Sequence, residues 1–224
     1  MKLLTVDNAK TSKGEELGIL TGILYLNPAV TDKLCPYASS ECRALCLVQA
    51  GRAEFIPAVT IARTRKTNEF LANRQAFIET LRKDFKALIK RAKRQGLKAA
   101  VRLNGTSDIL WERLIDFSEF PEIQFYDYTK IPLKFRKLAS NYHLTFSFSG
   151  ANWNECEAAM AQGTNVAVVF AGKTMPSEYK GKQVIDGTTH DVRFLDSISG
   201  QIVGLCVKGR QAKKAQGNKF FVVV

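Results

Sequence analysis

Residues 99–170 read AAVRLNGTSDILWERLIDFSEFPEIQFYDYTKIPLKFRKLASNYHLTFSFSGANWNECEAAMAQGTNVAVVF, and the rhythm of this stretch decides the fold. Apolar, β-branched or aromatic runs at Ala99–Leu103, Ile123–Tyr128, His143–Phe148 and Asn165–Phe170 read as strands. Between them, Trp111–Phe117, Leu133–Ser140 and Asn152–Gln162 read as helices, the last ended by Gly163. Strands separated by helices require crossovers, and crossovers of that length join parallel strands. The expected class is α/β with a mainly parallel sheet.

Working outward adds to both ends. Ile19–Asn27 is a further strand, ended by Pro28, and brings the parallel set to five. A short helix is expected over Phe55–Lys66, beginning near Pro57. Asn68–Gln95 carries Phe70, Leu71, Phe77, Ile78, Leu81, Phe85, Leu88 and Ile89 on one helical stripe, and Gly96 is its natural stop. Downstream, Gln183–Ile185, Ile202–Val207 and Phe220–Val224 are strand-like, with turn signals at Asp186-Gly187 and Ser199-Gly200. The expectation is one barrel-like domain over residues 1–224. Residues 1–17 would be a loose lead-in and 174–224 an irregular extension whose strands make a mixed portion.

The chain has 224 residues, 33 Lys and Arg against 21 Asp and Glu, a net charge of +12 and 5 cysteines. No apolar run approaches the ~20 residues needed to cross a membrane, and no signal-like segment opens the chain. The expectation is a cytoplasmic protein. So large a basic excess favours a polyanionic partner, nucleic acid first. The cations expected at phosphates are Arg52, Arg63, Arg65, Lys66, Lys134, Lys173, Arg193, Lys208 and Arg210. The Lys83–Lys98 run is instead the solvated face of a helix.

Three cysteines, Cys35, Cys42 and Cys46, stand in the loop CPYASSECRALC after the first strand. Clustered thiols in a reducing compartment point to metal or redox chemistry, and three ligands leave one position open. His190 could close a zinc site. His143 reads as a strand-edge residue, and Cys156 and Cys206 as small buried hydrophobes. The residues just past each strand are small, polar or charged: Asn104, Gly105, Thr106, Ser107 and Asp108; Thr129 and Lys130; Ser149. In a parallel sheet they share the carboxyl rim, where ligands bind. Strand alternation places Tyr126, Tyr128 and Lys130 on one face with Asp127 on the other, and Ser147 and Ser149 opposite Phe146 and Phe148.

Together these motifs resemble the radical S-adenosylmethionine superfamily, a partial (β/α)6 barrel with a three-cysteine loop after its first strand. The run Asn104–Asp108, Tyr128-Thr-Lys130 and Phe146-Ser-Phe-Ser149 looks like the branch of spore photoproduct lyase and related phage proteins. The chain as a whole resembles the mycobacteriophage gene-product-88 family, through the Cys-Pro loop, the Tyr-Thr-Lys strand and Ile185–Asp196. The resemblance implies a [4Fe–4S] cluster on Cys35, Cys42 and Cys46, with S-adenosylmethionine on the fourth iron. Asn104, Gly105, Thr106, Ser107 and Asp108 would then contact the amino group or ribose of that cofactor, and Lys130, Ser147 and Ser149 its carboxylate or ribose. The expected function is an iron–sulfur enzyme acting on a nucleotide or nucleic acid. Two rivals stand beside it. One is a zinc barrel enzyme modifying nucleic-acid bases, with Asp108 or Asp127 as nucleophile or base. The other is a basic phage protein without catalysis that binds DNA or a host factor.

Overall fold

The computed structural model describes residues 3–46, 48, 55–171, 174–207 and 222–223. The strands are β1 (Leu4–Thr5), β2 (Ile19–Leu24), β3 (Lys98–Arg102), β4 (Ile123–Thr129), β5 (Tyr142–Ser147), β6 (Val166–Phe170), β7 (Glu178–Tyr179), β8 (Lys182–Asp186), β9 (Ile202–Cys206) and β10 (Val222–Val223). The helices are α1 (Ala9–Glu15), α2 (Ser40–Ala44), α3 (Pro57–Ala72), α4 (Arg74–Gln95) and α5 (Trp153–Ala161). The sheet runs β1-β2-β3-β4-β5-β6-β9-β8-β7, and β10 pairs with β6. From β2 to β8 every neighbouring pair in this order is parallel. The antiparallel partners are the two edge strands, β1 and β7. The class is therefore α/β and mostly parallel. Among the described residues no pairing joins β1 to β7, so the sheet is open and not a closed barrel.

Several elements differ from expectation. The lead-in is not loose: Leu3 and Leu4 are buried, and their amides donate to Asp84 of α4. The C-terminal portion is mixed as expected, with β9 and β8 extending the parallel run and β7 closing it antiparallel. The helices expected at Trp111–Phe117 and Leu133–Ser140 reduce to single 3-10 turns, at Trp111–Arg113, Phe117–Glu119 and Leu133–Phe135. Side chains pinned inward take the place of a helical ladder there. Trp111 donates its indole N–H to Asn104, and Arg136 lies buried against Glu112 and Tyr142.

The helical stripe holds within α4, where Phe77, Ile78, Leu81, Phe85, Leu88 and Ala92 are buried and Gly96 ends the helix in the left-handed region at φ 68°. Of the stripe's first two residues, both on α3, Phe70 is buried and Leu71 is exposed. Asn73 divides α3 from α4 and caps the second helix by accepting from the Ala76 amide. Phe85 meets Phe120 and Phe125 edge-on, at 5.1 and 5.4 Å between ring centroids. Each such buried side chain contributes about 1.5–3 kcal/mol.

The two faces of the sheet are covered differently. Leu20, Leu24, Val101 and Phe125 share one core with α3 and α4, and Phe146, Val166 and Val168 share another with Cys156 and Met160 of α5. Strand register puts these residues on one face. Among the described residues the opposite face has no long helix. There Val192 and Phe194, from the segment after β8, pack on Ile19, Ala100 and Tyr126.

Candidate functional site at the carboxyl rim

A serine, a leucine and a cysteine tie the cysteine loop to three neighbouring strands at the carboxyl rim. Ser39 caps α2 by accepting from the Cys42 amide, and its hydroxyl donates to the Ser149 carbonyl just past β5, at 2.9 Å. Leu45 is buried against Val169 of β6. The thiol of Cys35 approaches the Thr106 carbonyl past β3, and Leu34 accepts from the Asp108 amide at 2.7 Å. Lys130 follows β4. The loop thus lies over the end of the face that carries no long helix.

The three thiols share the field of one cation. The Lys130 ammonium hydrogen-bonds Cys42 and lies within the field of Asp108 and Cys35. Burial works to lower its pKa, but those neighbours outweigh it and the result lies above the ordinary lysine value. Burial pushes the Cys35 thiol up to about 12; Asp108, Cys46 and Cys42 add to this, and Lys130 opposes it. Burial also raises Cys46, opposed by a hydrogen bond from Val48 and by the charges of Lys130 and Arg63. These three thiols act on one another electrostatically, while Cys156 lies buried in the α5 core. Among the described residues no three His, Cys, Asp or Glu side chains stand close enough to hold a metal ion as they are. The rim presents a donor set beside an ammonium rather than a formed centre.

The polar residues after β3 build the rim more than they offer it. Asn104 accepts from Ser107, Ile109 and Trp111, and donates to the Ile109 carbonyl and to Asp127. Its amide is fully occupied, contrary to the expected cofactor contact. Asp108 accepts from Thr129 at 2.8 Å and from the Lys130 amide at 2.7 Å; burial raises its pKa against these donors. Gly105 serves close packing: a Cβ there would meet the Leu24 carbonyl at 2.6 Å and Ile23 at 2.7 Å. Thr106 donates to the Leu26 carbonyl, tying the same turn to the chain beyond β2.

Asp127 faces the helical side, away from the loop. It accepts from the Asn104 amide at 2.7 Å and from Tyr142 at 3.0 Å, and burial raises its pKa to about 7 despite these donors. A catalytic carboxylate needs access, and Asp127 is 2% exposed. Ser147 and Ser149 lie opposite Phe146 and Phe148, both buried at the end of β5 nearest the loop.

His190 does not join the cysteines. Its ring contacts Arg193 at 2.8 Å, in the segment that packs on Ile19 at the start of β2. The expected basic contacts divide. Arg65 and Lys134 are exposed, the first paired with Glu69 and the second over the Phe135 ring. Arg63 is half-buried over Tyr25 and donates to Val48. Lys66 is buried, donating to the Leu3 carbonyl at 2.7 Å, and Arg193 is fully buried beside Asp196. Phosphate contact is incompatible with the positions of those two. Arg52, Lys173, Lys208 and Arg210 lie outside the described residues.

Sequence reasoning missed Ser39, Leu45, Arg136, Glu112 and Tyr142. Only Ser39 carried a signal, as a serine directly before a short helix. A family model described as Gene product 88 matches residues 2–222. No curated protein and no solved structure matches the chain.

Proposed function

We propose that this chain, which belongs to the Gene product 88 family, is an iron–sulfur enzyme of the radical S-adenosylmethionine type, acting on a nucleotide or nucleic acid. One observation carries the reading. Three thiols from one loop tied over the carboxyl rim share the field of a single ammonium, that of Lys130. Thiolates concentrate negative charge, and a lysine kept protonated among them offsets it. The donor set suits a cluster with three cysteine-ligated irons and one open position. It would be completed by a closing movement of the loop about Ser39 and Leu45. All the long helices on one face, with parallel strands β2 to β6 in chain order, fit a partial barrel whose inner face is the other.

In this reading Cys35, Cys42 and Cys46 hold the cluster. Bound there, it would supply an electron for cleavage of S-adenosylmethionine. Lys130 would hold its proton and orient an anionic group of that cofactor. Ser147 and Ser149 would line the pocket beneath it. Asn104, Asp108 and Asp127 are positioning residues, fixing the loops after β3 and β4. Leu45, packed on Val169, would exclude water.

Anaerobic purification followed by iron and sulfide analysis tests this. The expected result is a brown protein with near-stoichiometric iron and sulfide, lost in Cys35→Ala, Cys42→Ala and Cys46→Ala and kept in Cys156→Ala. A colourless protein with zinc, or with no metal, would overturn it in favour of a zinc enzyme or a non-catalytic binding protein.

A further inference from the structure

On the outer flank of the cysteine loop lies a cavity of about 470 Å³, between Lys33–Tyr37, the end of α3, the turn after Asp108 and the Ile131–Phe135 segment. This falls within the ~300–1,000 Å³ usual for small-molecule sites. Three large apolar residues on its lining are exposed: Tyr37 at 46%, Leu71 at 43% and Phe135 at 43%. Two of them are aromatic rings available for stacking. Three cations share the lining, Lys33, Arg74 and Arg113, and all three are exposed. The lining's one carboxylate, Asp108, is turned toward Thr129 and Lys130. The cavity therefore presents flat apolar walls under a positive rim.

We infer that this cavity is a nucleoside-phosphate site, taking a base against Tyr37 and Phe135 and its phosphate on Lys33, Arg74 and Arg113. An uncharged apolar ligand would leave the positive charge of three exposed cations unanswered. A simple anion would leave the rings without one. A nucleotide uses both, since every base has a stacking face and guanidinium groups match phosphate oxygens in pairs. The segment that carries Phe135 is anchored beside the cavity. Arg113 donates to the Phe135 carbonyl at 3.1 Å, and the Lys134 ammonium lies 5.2 Å from the Phe135 ring centre. The site is distinct from the thiol cluster: Leu34 and Pro36 line it, while the thiol of Cys35 between them points toward Thr106. It stands whether or not a cluster binds.

Two sources supply this chemistry, a free nucleotide and a nucleotide of a single strand, and calorimetric titration separates them. The probes are the four nucleoside monophosphates, ribose 5-phosphate, a short single-stranded oligonucleotide and its duplex. Saturable binding of a monophosphate, with ribose 5-phosphate much weaker, assigns the site to free nucleotides. Binding of the single strand alone assigns it to nucleic acid. In either case Tyr37→Ala should weaken binding about 5- to 100-fold, and Lys33→Glu with Arg74→Glu at least tenfold. These side chains are exposed, so the variants should keep the parent's circular dichroism and melting temperature. No binding by any probe, equal binding of duplex and single strand, or affinity unchanged in both variants would overturn the assignment.

Discussion

Two cations sit one strand apart, Arg102 buried and Lys130 half-buried, and they keep different company. Arg102, at the end of β3, donates through one nitrogen to both carboxylate oxygens of Asp191, at 3.0 and 2.7 Å, and lies 4.5 Å from the Tyr128 ring centre. Lys130, just past β4, has Cys42, Asp108 and Cys35 as its main titratable neighbours. The first is closed by a carboxylate delivered from 89 residues away along the chain. The second faces thiols, weak acids that carry full charge only when something draws their protons off. The difference teaches how to read a buried charge. One that is answered by a carboxylate holds the fold. One that faces groups able to change charge is free to take part in chemistry.

The largest effect should come from breaking the closed pair. Asp191→Ala leaves the Arg102 charge buried without its partner and should cost about 3–5 kcal/mol. For a chain of this size that lowers the melting temperature by roughly 6–20 °C. A loss below about 1 kcal/mol in a chemical-denaturation curve would show that Arg102 is not locked by Asp191.

A second effect tests a buried carboxylate of the strand between the two cations, Asp127 of β4. Asp127 has a folded pKa of about 7, above the ordinary value of 3.8. The folded chain therefore keeps a proton that the unfolded chain has lost between those values. Its contribution to stability is present below about pH 4, falls as pH rises to about 7, and is flat above that. Denaturation midpoints across this range should fall with pH in the parent and fall less in Asp127→Asn. Equal slopes would place the effect elsewhere.

The smallest effect on stability should come from the open cluster. Lys130→Met removes a charge whose thiol neighbours can stay neutral, so stability should change by about 1 kcal/mol or less. The thiols should respond instead. Lys130 favours the Cys35 thiolate, so its loss should slow alkylation of Cys35 further below that of an ordinary thiol, and iron retention should drop. A Lys130→Met variant destabilised as strongly as Asp191→Ala would erase the distinction between the two regions.

Much of the fold was legible because parallel strands buried on both faces read as continuous apolar runs, and each of the five expected strands is present within a few residues. The stripe of α4 and its Gly96 stop were equally plain. The segments around Trp111 and Leu133 were not, because their helical spacing is overruled by two inward contacts, Trp111 to Asn104 and Arg136 to Tyr142. The thiols of the site were legible from their clustering, and Lys130 from its place after a strand. The roles of Asn104 and Asp108 were not. A polar residue at a strand end can meet a ligand or a neighbouring loop, and only the positions of Thr129, Trp111 and Asp127 decide between them.

The sequence by itself determined what depends on spacing along the chain: parallel strands, an amphipathic helix, three thiols in one loop, a basic excess. Tertiary structure decided what depends on partners distant in sequence. It withdrew Lys66 and Arg193 from the surface and drew Arg102 to Asp191. It brought the thiol loop into the field of Lys130 and left Tyr37, Phe135 and three cations bordering one cavity. The physical reason is that burial and charge pairing are properties of a position in space. Residue type and periodicity constrain which face a side chain takes, but not which group from elsewhere in the chain it will meet there.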